Sequence, residues 1–152
     1  MANSTTLRIE TVANSISLLD VEGLTIRDID EVKVNPEKRL SVLMPESNFI
    51  TDVEPEVRSF GGASAVWDIR YTLNYRLLYK PAGEGRTMTI EQLIGLTRLV
   101  SKVWDAFLGI GVLAGCEDVT IAGISDFGPV EAPNGDPWWG CVLSFRILEQ
   151  IR

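Results

Sequence analysis

The sequence predicts an α+β fold: a two-layer domain, with a mostly antiparallel or mixed sheet and two helices packed on one of its faces. Three observations carry that reading. WDIRYTLNYRLLY, residues 67–79, puts Trp67, Ile69, Tyr71, Leu73, Tyr75, Leu77 and Tyr79 on one side of a strand and Asp68, Arg70, Thr72, Asn74 and Arg76 on the other. WWGCVLSFRILEQIR repeats the alternation at the end of the chain, with Trp139, Cys141, Leu143, Phe145 and Ile147 on one side. Two further segments, 7–19 and 90–108, carry apolar residues at spacings of three and four, the period of an amphipathic helix. Strands that are polar on one face need cover on the other face alone, which points to a sheet with a single helical layer.

Each element then follows in chain order. Ile9, Val12, Ala13, Ile16 and Leu19 form the stripe of the first helix, with Gly23 just past its end. LTIRDIDEVKV, 24–34, reads as a bulged strand, NPEKR as a turn, and RLSVLMP, 39–45, as a short strand closed by Pro45. From 46 to 66 no period holds, so this stretch is expected to be a long irregular loop inside a single domain spanning 1–152. After the long strand 67–79 comes a loop, KPAGEGRTM. The second helix opens on Thr89 and Gln92 at capping-box spacing, with Met88 placed to staple to Leu93. Its expected buried stripe is Leu93, Leu96, Val100, Val103 and Phe107, with Glu91, Arg98, Lys102 and Asp105 outward, and Gly109 and Gly111 stop it. A strand at 117–124, a loop SDFGPVEAPNGDP and the final strand 138–150 complete the chain.

Composition narrows the function. At 152 residues, 45% of them hydrophobic, the chain suits one core. No apolar run is long enough to span a membrane and the N-terminus lacks a secretory pattern. Cys116 and Cys141 therefore read as two buried thiols. A net charge of -7 with no basic cluster opposes nucleic-acid binding through counterion release, and an acidic surface instead lets a duplex pass without sticking. There is no histidine, which removes Ser-His and Cys-His pairs and imidazole metal sites.

The remaining chemical motifs fail on detail. Gly83 and Gly85 precede a helix, but Met88 stands where a third phosphate-loop glycine is needed. Gly62-Ala63-Ser64-Ala65-Val66 is no nucleophile elbow, and the carboxylates at Asp20, Glu22, Asp28, Asp30 and Glu31 lack calcium-loop spacing. No catalytic residue, metal site or cofactor is expected.

What stands out is surface. Thirteen residues of strand span about 43 Å, against a diameter of about 38 Å for a compact chain of this length. The two long strands are thus expected to overhang the domain and expose edge that an oligomer covers. The row Asp68, Arg70, Asn74 and Arg76 reads either as a solvated face or as a charged subunit contact. Phe49, Arg58 and Phe60 in the irregular loop are further contact candidates. So is Trp138: with Trp139 it points to opposite faces, leaving one ring exposed for a partner or, as a rival reading, for ligand stacking.

As an order of parts, the chain resembles the tail terminator (tail completion, or neck) proteins of long-tailed bacteriophages. The resemblance runs through helix 7–19, MPESNFITDVEPEVRSFGG, WDIRYTLNYRLLY, the capped helix TIEQLIGLTRLVSKVWDAFLG and the final WWGCVLSFRILEQ. It implies a structural, non-enzymatic subunit of a homo-oligomeric ring, usually of six members, in the virion, assembled in the host cytoplasm. Such a ring caps the tail tube protein and faces the head connector or closure protein, and DNA crosses its lumen without specific binding. Other neck components, such as head-closure proteins, share this size and sheet content.

Overall fold

The computed structural model describes residues 7–31, 41–59, 66–82, 88–110, 113 and 115–151. It is an α+β domain: helix α1 (Ile9–Ser17), strand β1 (Leu24–Ile26), a 3-10 turn (Ile29–Glu31), β2 (Ser41–Ser59), β3 (Val66–Pro81), α2 (Ile90–Ile110), β4 (Asp118–Glu131) and β5 (Pro137–Ile151). The strands form one curled, mixed sheet in the order β1-β2-β3-β5-β4. β1 runs parallel to β2 and every other neighbour is antiparallel.

The alternation read in the two long strands holds through their middle. Tyr71, Leu73, Tyr75 and Leu77 of β3 pair with Ile147, Phe145, Leu143 and Cys141 of β5, and all eight side chains are fully buried. Both helices lie on that face. Val12 and Ile16 of α1 and Leu96, Leu99, Val100, Val103 and Phe107 of α2 join the same core. Rings order its centre: Tyr75 meets Phe49 and Phe145 edge-on at 5.3 and 5.5 Å, and Phe107 stacks on Phe145 at 4.5 Å. The capping box forms as expected, since Thr89 N–H donates to Gln92 Oε1 at 2.9 Å and Gln92 N–H to Thr89 Oγ1 at 3.2 Å. Met88 packs on the core, whereas Leu93 is 42% exposed, so Leu99 takes its place in the buried stripe.

At the far end of the core, Glu149 is buried and anchors the first helix. Its Oε1 accepts the Arg8 backbone N–H at 2.8 Å and its Oε2 accepts the Tyr71 hydroxyl. A carboxylate at a helix N-terminus meets the positive end of the helix dipole and one of the N–H groups that the helix leaves without a partner. One side chain thus ties the start of α1 to the β3–β5 ladder.

Several expectations change at the sheet edges. The irregular loop 46–66 is instead mostly strand: β2 continues through Pro45 and Pro55 to Ser59, and residues 60–65 lie outside the described residues. Its register with β3 slips between Pro45 and Ile50, between Thr51 and Glu54, and between Val57 and Ser59, and each slip erases the period-two pattern. Prolines are tolerated because β1 pairs only with Ser41–Leu43, leaving the rest of β2 a sheet edge among the described residues. β4 behaves alike. It runs on to Glu131 through bulges at Ile121–Gly123 and Ser125–Gly128, absorbing most of the expected loop. Of the strand expected at 24–34, Leu24–Ile26 is strand and Ile29–Glu31 a 3-10 turn, with 32–40 outside the described residues.

The long strands also do not overhang alone. β3 is paired on both sides from Trp67 to Leu78, and β5 from Trp138 to Leu148, so most of their backbone is satisfied within the chain. The sheet as a whole has lengthened with them: the 16 residues of β3 correspond to about 53 Å of strand.

Where β5 passes β3 at the register shift between Leu78 and Lys80, the backbones come very close. A Cβ placed on Gly140 would stand 1.9 Å from the Leu77 carbonyl oxygen, which cannot move aside without breaking the ladder. Gly140→Ala is expected to lower stability by about 2–3 kcal/mol. Gly123→Ala, where a Cβ meets nothing within 4 Å, should be neutral or slightly stabilising, both variants being compared with the wild type by urea titration.

Candidate functional site

The face of the sheet turned away from the helices is neither bare nor freely solvated. At one end it carries a second small core of Val42, Met44, Leu78, Val130, Ala132 and Trp138. Leu78, the one apolar residue in the polar row of β3, sits there because this patch needs it. Trp138 and Trp139 are both only 3% exposed, so the expectation of an exposed tryptophan at the start of the last strand is corrected: each ring is buried on its own side of the sheet. That removes Trp138 as a partner surface and either ring as a stacking platform.

Beyond this patch the polar residues knit the strands together. Asn74, on the central strand, donates from Nδ2 to Asn48 O at 3.0 Å and Thr51 Oγ1 at 2.9 Å on β2. Its Oδ1 accepts the Ser144 hydroxyl on β5 at 2.8 Å. Arg146 reaches from β5 across β3 to Asp52 O at 2.7 Å and Glu54 Oε2 at 2.9 Å on β2, donating to Thr72 Oγ1 at 3.0 Å on the way. Arg76 reaches the other way, from β3 across β5 to Glu131 O on β4 at 2.6 Å, while its Nε lies 2.9 Å from Glu46 Oε1 on β2. That Nε contact is a charge pair without hydrogen-bond alignment. Two arginines thus lie flat on the face as cross-ties between strands two places apart.

The edges turn where these ties land. Asp52, whose carbonyl accepts Arg146, has φ 52° at a bulge of β2, and Asp126 has φ 58° at a bulge of β4. Aspartate is among the few residues that occupy this left-handed region readily. Between the two bent edges runs a polar trough of about 640 Å³, with Glu46 and Asn48 on one wall, Asp126 and Phe127 on the other, and Asn74 and Ser144 on the floor.

The contact candidates therefore separate. Asp68 and Asn74 are buried, and Arg76 is committed to Glu46 and Glu131, so the row is not a solvated face. Arg70 is the outward member, paired at 3.3 Å with Glu56 where both side chains are largely exposed, a pair worth little in water. Phe49 is half-buried against Tyr75 and belongs to the core. Arg58 lies within β2, and Phe60 lies outside the described residues. The residues the sequence reading missed are Arg146 and Glu46. Arg146 sat in the polar row of the last strand, and its signal was its place beside Thr72 in the register. Ile50, Val53 and Trp67 are exposed, at 39%, 50% and 41%, and Ile50 and Trp67 lie on the other side of the sheet from Arg70, since Ile50 pairs with Leu73 and Trp67 alternates with Arg70 along β3.

Among the described residues no group of three or more His, Cys, Asp or Glu side chains gathers as a metal site, and no helix is long and apolar enough to cross a membrane. Both cysteines are free and buried. Burial pushes the Cys141 thiol up to about 12, and burial with the neighbouring Glu117 and Glu149 carboxylates pushes Cys116 up to about 11. A thiol so held is a poor nucleophile. Burial likewise raises the Tyr71 and Tyr75 hydroxyls, the first with help from Glu149.

Because these acids ionise later in the folded chain than in the unfolded one, their neutral forms contribute stability that is intact below pH 9 and is lost as pH rises toward 11–12. The urea midpoint should stay level between pH 7 and 8.5 and fall steadily above 9; a midpoint that rises there would contradict the burial of these groups. Arg76→Glu sets two carboxylates together and is expected to cost about 2–3 kcal/mol. The exchange Glu46→Arg with Arg76→Glu should restore at least about half of that, as measured in a double-mutant cycle. In comparison with known proteins, no family model matches this chain and no curated protein matches it.

Proposed function

We propose that the protein is a structural, non-enzymatic subunit of a closed ring at the head-tail junction of a long-tailed phage, a tail terminator that caps the tail tube and meets the head connector. A neighbouring neck role, such as head closure, is the nearest alternative. The observation that carries the reading is the exposure of three large apolar side chains on β2 and β3, Ile50, Val53 and Trp67, with the exposed Arg70–Glu56 pair on the other side of the same sheet from Trp67. Apolar rings and branched side chains are what a subunit joint requires.

β2 beyond Leu43 and β4 are each paired on one side only among the described residues, and their bulges blunt most of each edge against indiscriminate pairing. The joint therefore rests on the exposed side chains, and contacts between unlike surfaces close into rings when the rotation allows. The net charge of -7 suits a lumen through which DNA passes without being held. The cross-tied polar face gives a rigid wall.

A second reading is favoured by one feature, the polar trough with Phe127 at its rim, which suits a small hydroxylated ligand in a monomeric binding domain. Negative-stain microscopy of the concentrated protein, alone and with a tail tube protein, separates the two. Closed rings are expected, with Trp67→Glu abolishing them while far-UV circular dichroism is unchanged. Monodisperse monomer under both conditions, together with a saturable thermal shift from a sugar panel, would sink the ring.

A further inference from the structure

The turn between β4 and β5 carries the only Asn-Gly pair in the chain, Asn134–Gly135. Asparagine side chains are thermally labile. The backbone nitrogen of the next residue can attack the amide carbon, and a glycine there has no Cβ to hinder it. The other asparagines precede Ser, Pro, Phe or Tyr. Residues from Pro133 to Pro137 are all exposed, so water reaches the pair. The turn itself is tightly bonded. Gly135 N–H donates to Ala132 O at 2.8 Å, and Ala132 N–H donates to Asp136 O at 2.8 Å. Pro133 stands second in this turn and Asn134 keeps a negative φ, which makes it type I, with Gly135 following at φ 86°. Asp136 then closes on the amide. Its N–H donates to Asn134 Oδ1 at 3.0 Å, and its Oδ2 accepts Asn134 Nδ2 at 2.9 Å.

We propose that Asn134 is a site of spontaneous modification, converted through a succinimide to aspartate and isoaspartate when this turn opens, and that Asp136 is the positioning residue that holds the turn shut. Hydroxide takes the Gly135 amide proton, and the nitrogen attacks Asn134 Cγ. The Cγ–Nδ2 bond breaks, and ammonia leaves with a proton drawn from water. Water then adds to either ring carbonyl and cleaves its bond to the ring nitrogen. The sum is amide and water giving carboxylate and ammonium, with no change of oxidation state. In the closed turn neither reactant is free. A type I turn holds ψ of Asn134 at about 0°, which points the Gly135 nitrogen away from Cγ, and the Gly135 N–H is engaged by Ala132. The amide is held at both its polar atoms, and the Asp136 carboxylate repels hydroxide. Reaction therefore waits on the loss of these bonds, each of which contributes to keeping the turn closed. The product does not fit back. The isoaspartyl link lengthens the main chain by one carbon inside a three-residue loop, and the aspartyl form sets a second carboxylate against Asp136. Either change disturbs the closure between Ala132 and Asp136, next to Ala132 and Trp138 of the second core.

The site rests on neither reading of the function above. The test is ageing of the full chain at mildly alkaline pH in water enriched in heavy oxygen, followed by peptide mapping. Folded chain is compared with chain held unfolded in urea. Heavy oxygen is expected at Asn134 before any other asparagine, and at least about tenfold faster in the unfolded chain, where the turn bonds are gone. In the folded chain Asp136→Ala should speed the reaction at least about threefold. Asp136→Asn, which keeps an acceptor oxygen, should return most of the protection, and Asn134→Gln should take up no label at that position. Far-UV circular dichroism checks that the variants are folded, and the comparison of folded with unfolded wild type needs no variant. Equal rates in the folded and unfolded wild type, another asparagine reacting first, or a folded Asp136→Ala chain that ages no faster than the wild type would each overturn the proposal.

Discussion

The β3–β5 ladder constrains everything else in this molecule, because two strands of 16 and 15 residues are paired to one another almost end to end and must satisfy a different environment on each face. On the helical side the requirement is met by size and shape. Eight fully buried side chains along the two strands set the floor on which α1 and α2 rest. On the other side it is met by reach. Asn74, Arg76 and Arg146 stand on the ladder and extend to both neighbours, so that the edge strands are held by side chains as well as by backbone.

That second mechanism explains why the sheet curls. A long flat sheet would leave its polar face to water and its edges straight and sticky. Here β2 and β4 break register repeatedly, each at an aspartate in a left-handed conformation, and Arg146 grips the carbonyl presented at one of those turns. The bulges, the two prolines of β2 and the arginine ties belong to one device. It stiffens the sheet across the strands, makes the trough, and spoils most of each edge as a template for indiscriminate pairing.

Large apolar side chains stay exposed on two parts of the fold, Ile50, Val53 and Trp67 on β2 and β3 and Ile90, Ile94 and Trp104 on α2. The buried polar groups are spent on holding strands, and the two thiols are shielded in the core.

The amino-acid sequence by itself determined the fold class, the two central strands and the second helix with its capping box, because in each the side-chain period is unbroken and the partner is a continuous layer. It could not reveal β2 beyond Pro45 or the second half of β4. Their bulges shift the period at every few residues, and the prolines and glycines that read as loop are allowed because those strands are edges, a fact that only the pairing order decides. The same holds for the site. Asp68, Asn74 and Arg76 were legible as a polar row, but whether a row faces water, a neighbour or its own chain depends on how far the adjacent strands bend over it. Tertiary structure settled that by bringing Glu46 and Glu131 to Arg76 and burying Trp138 beneath Leu78, contacts between residues too far apart in the chain for any local pattern to record.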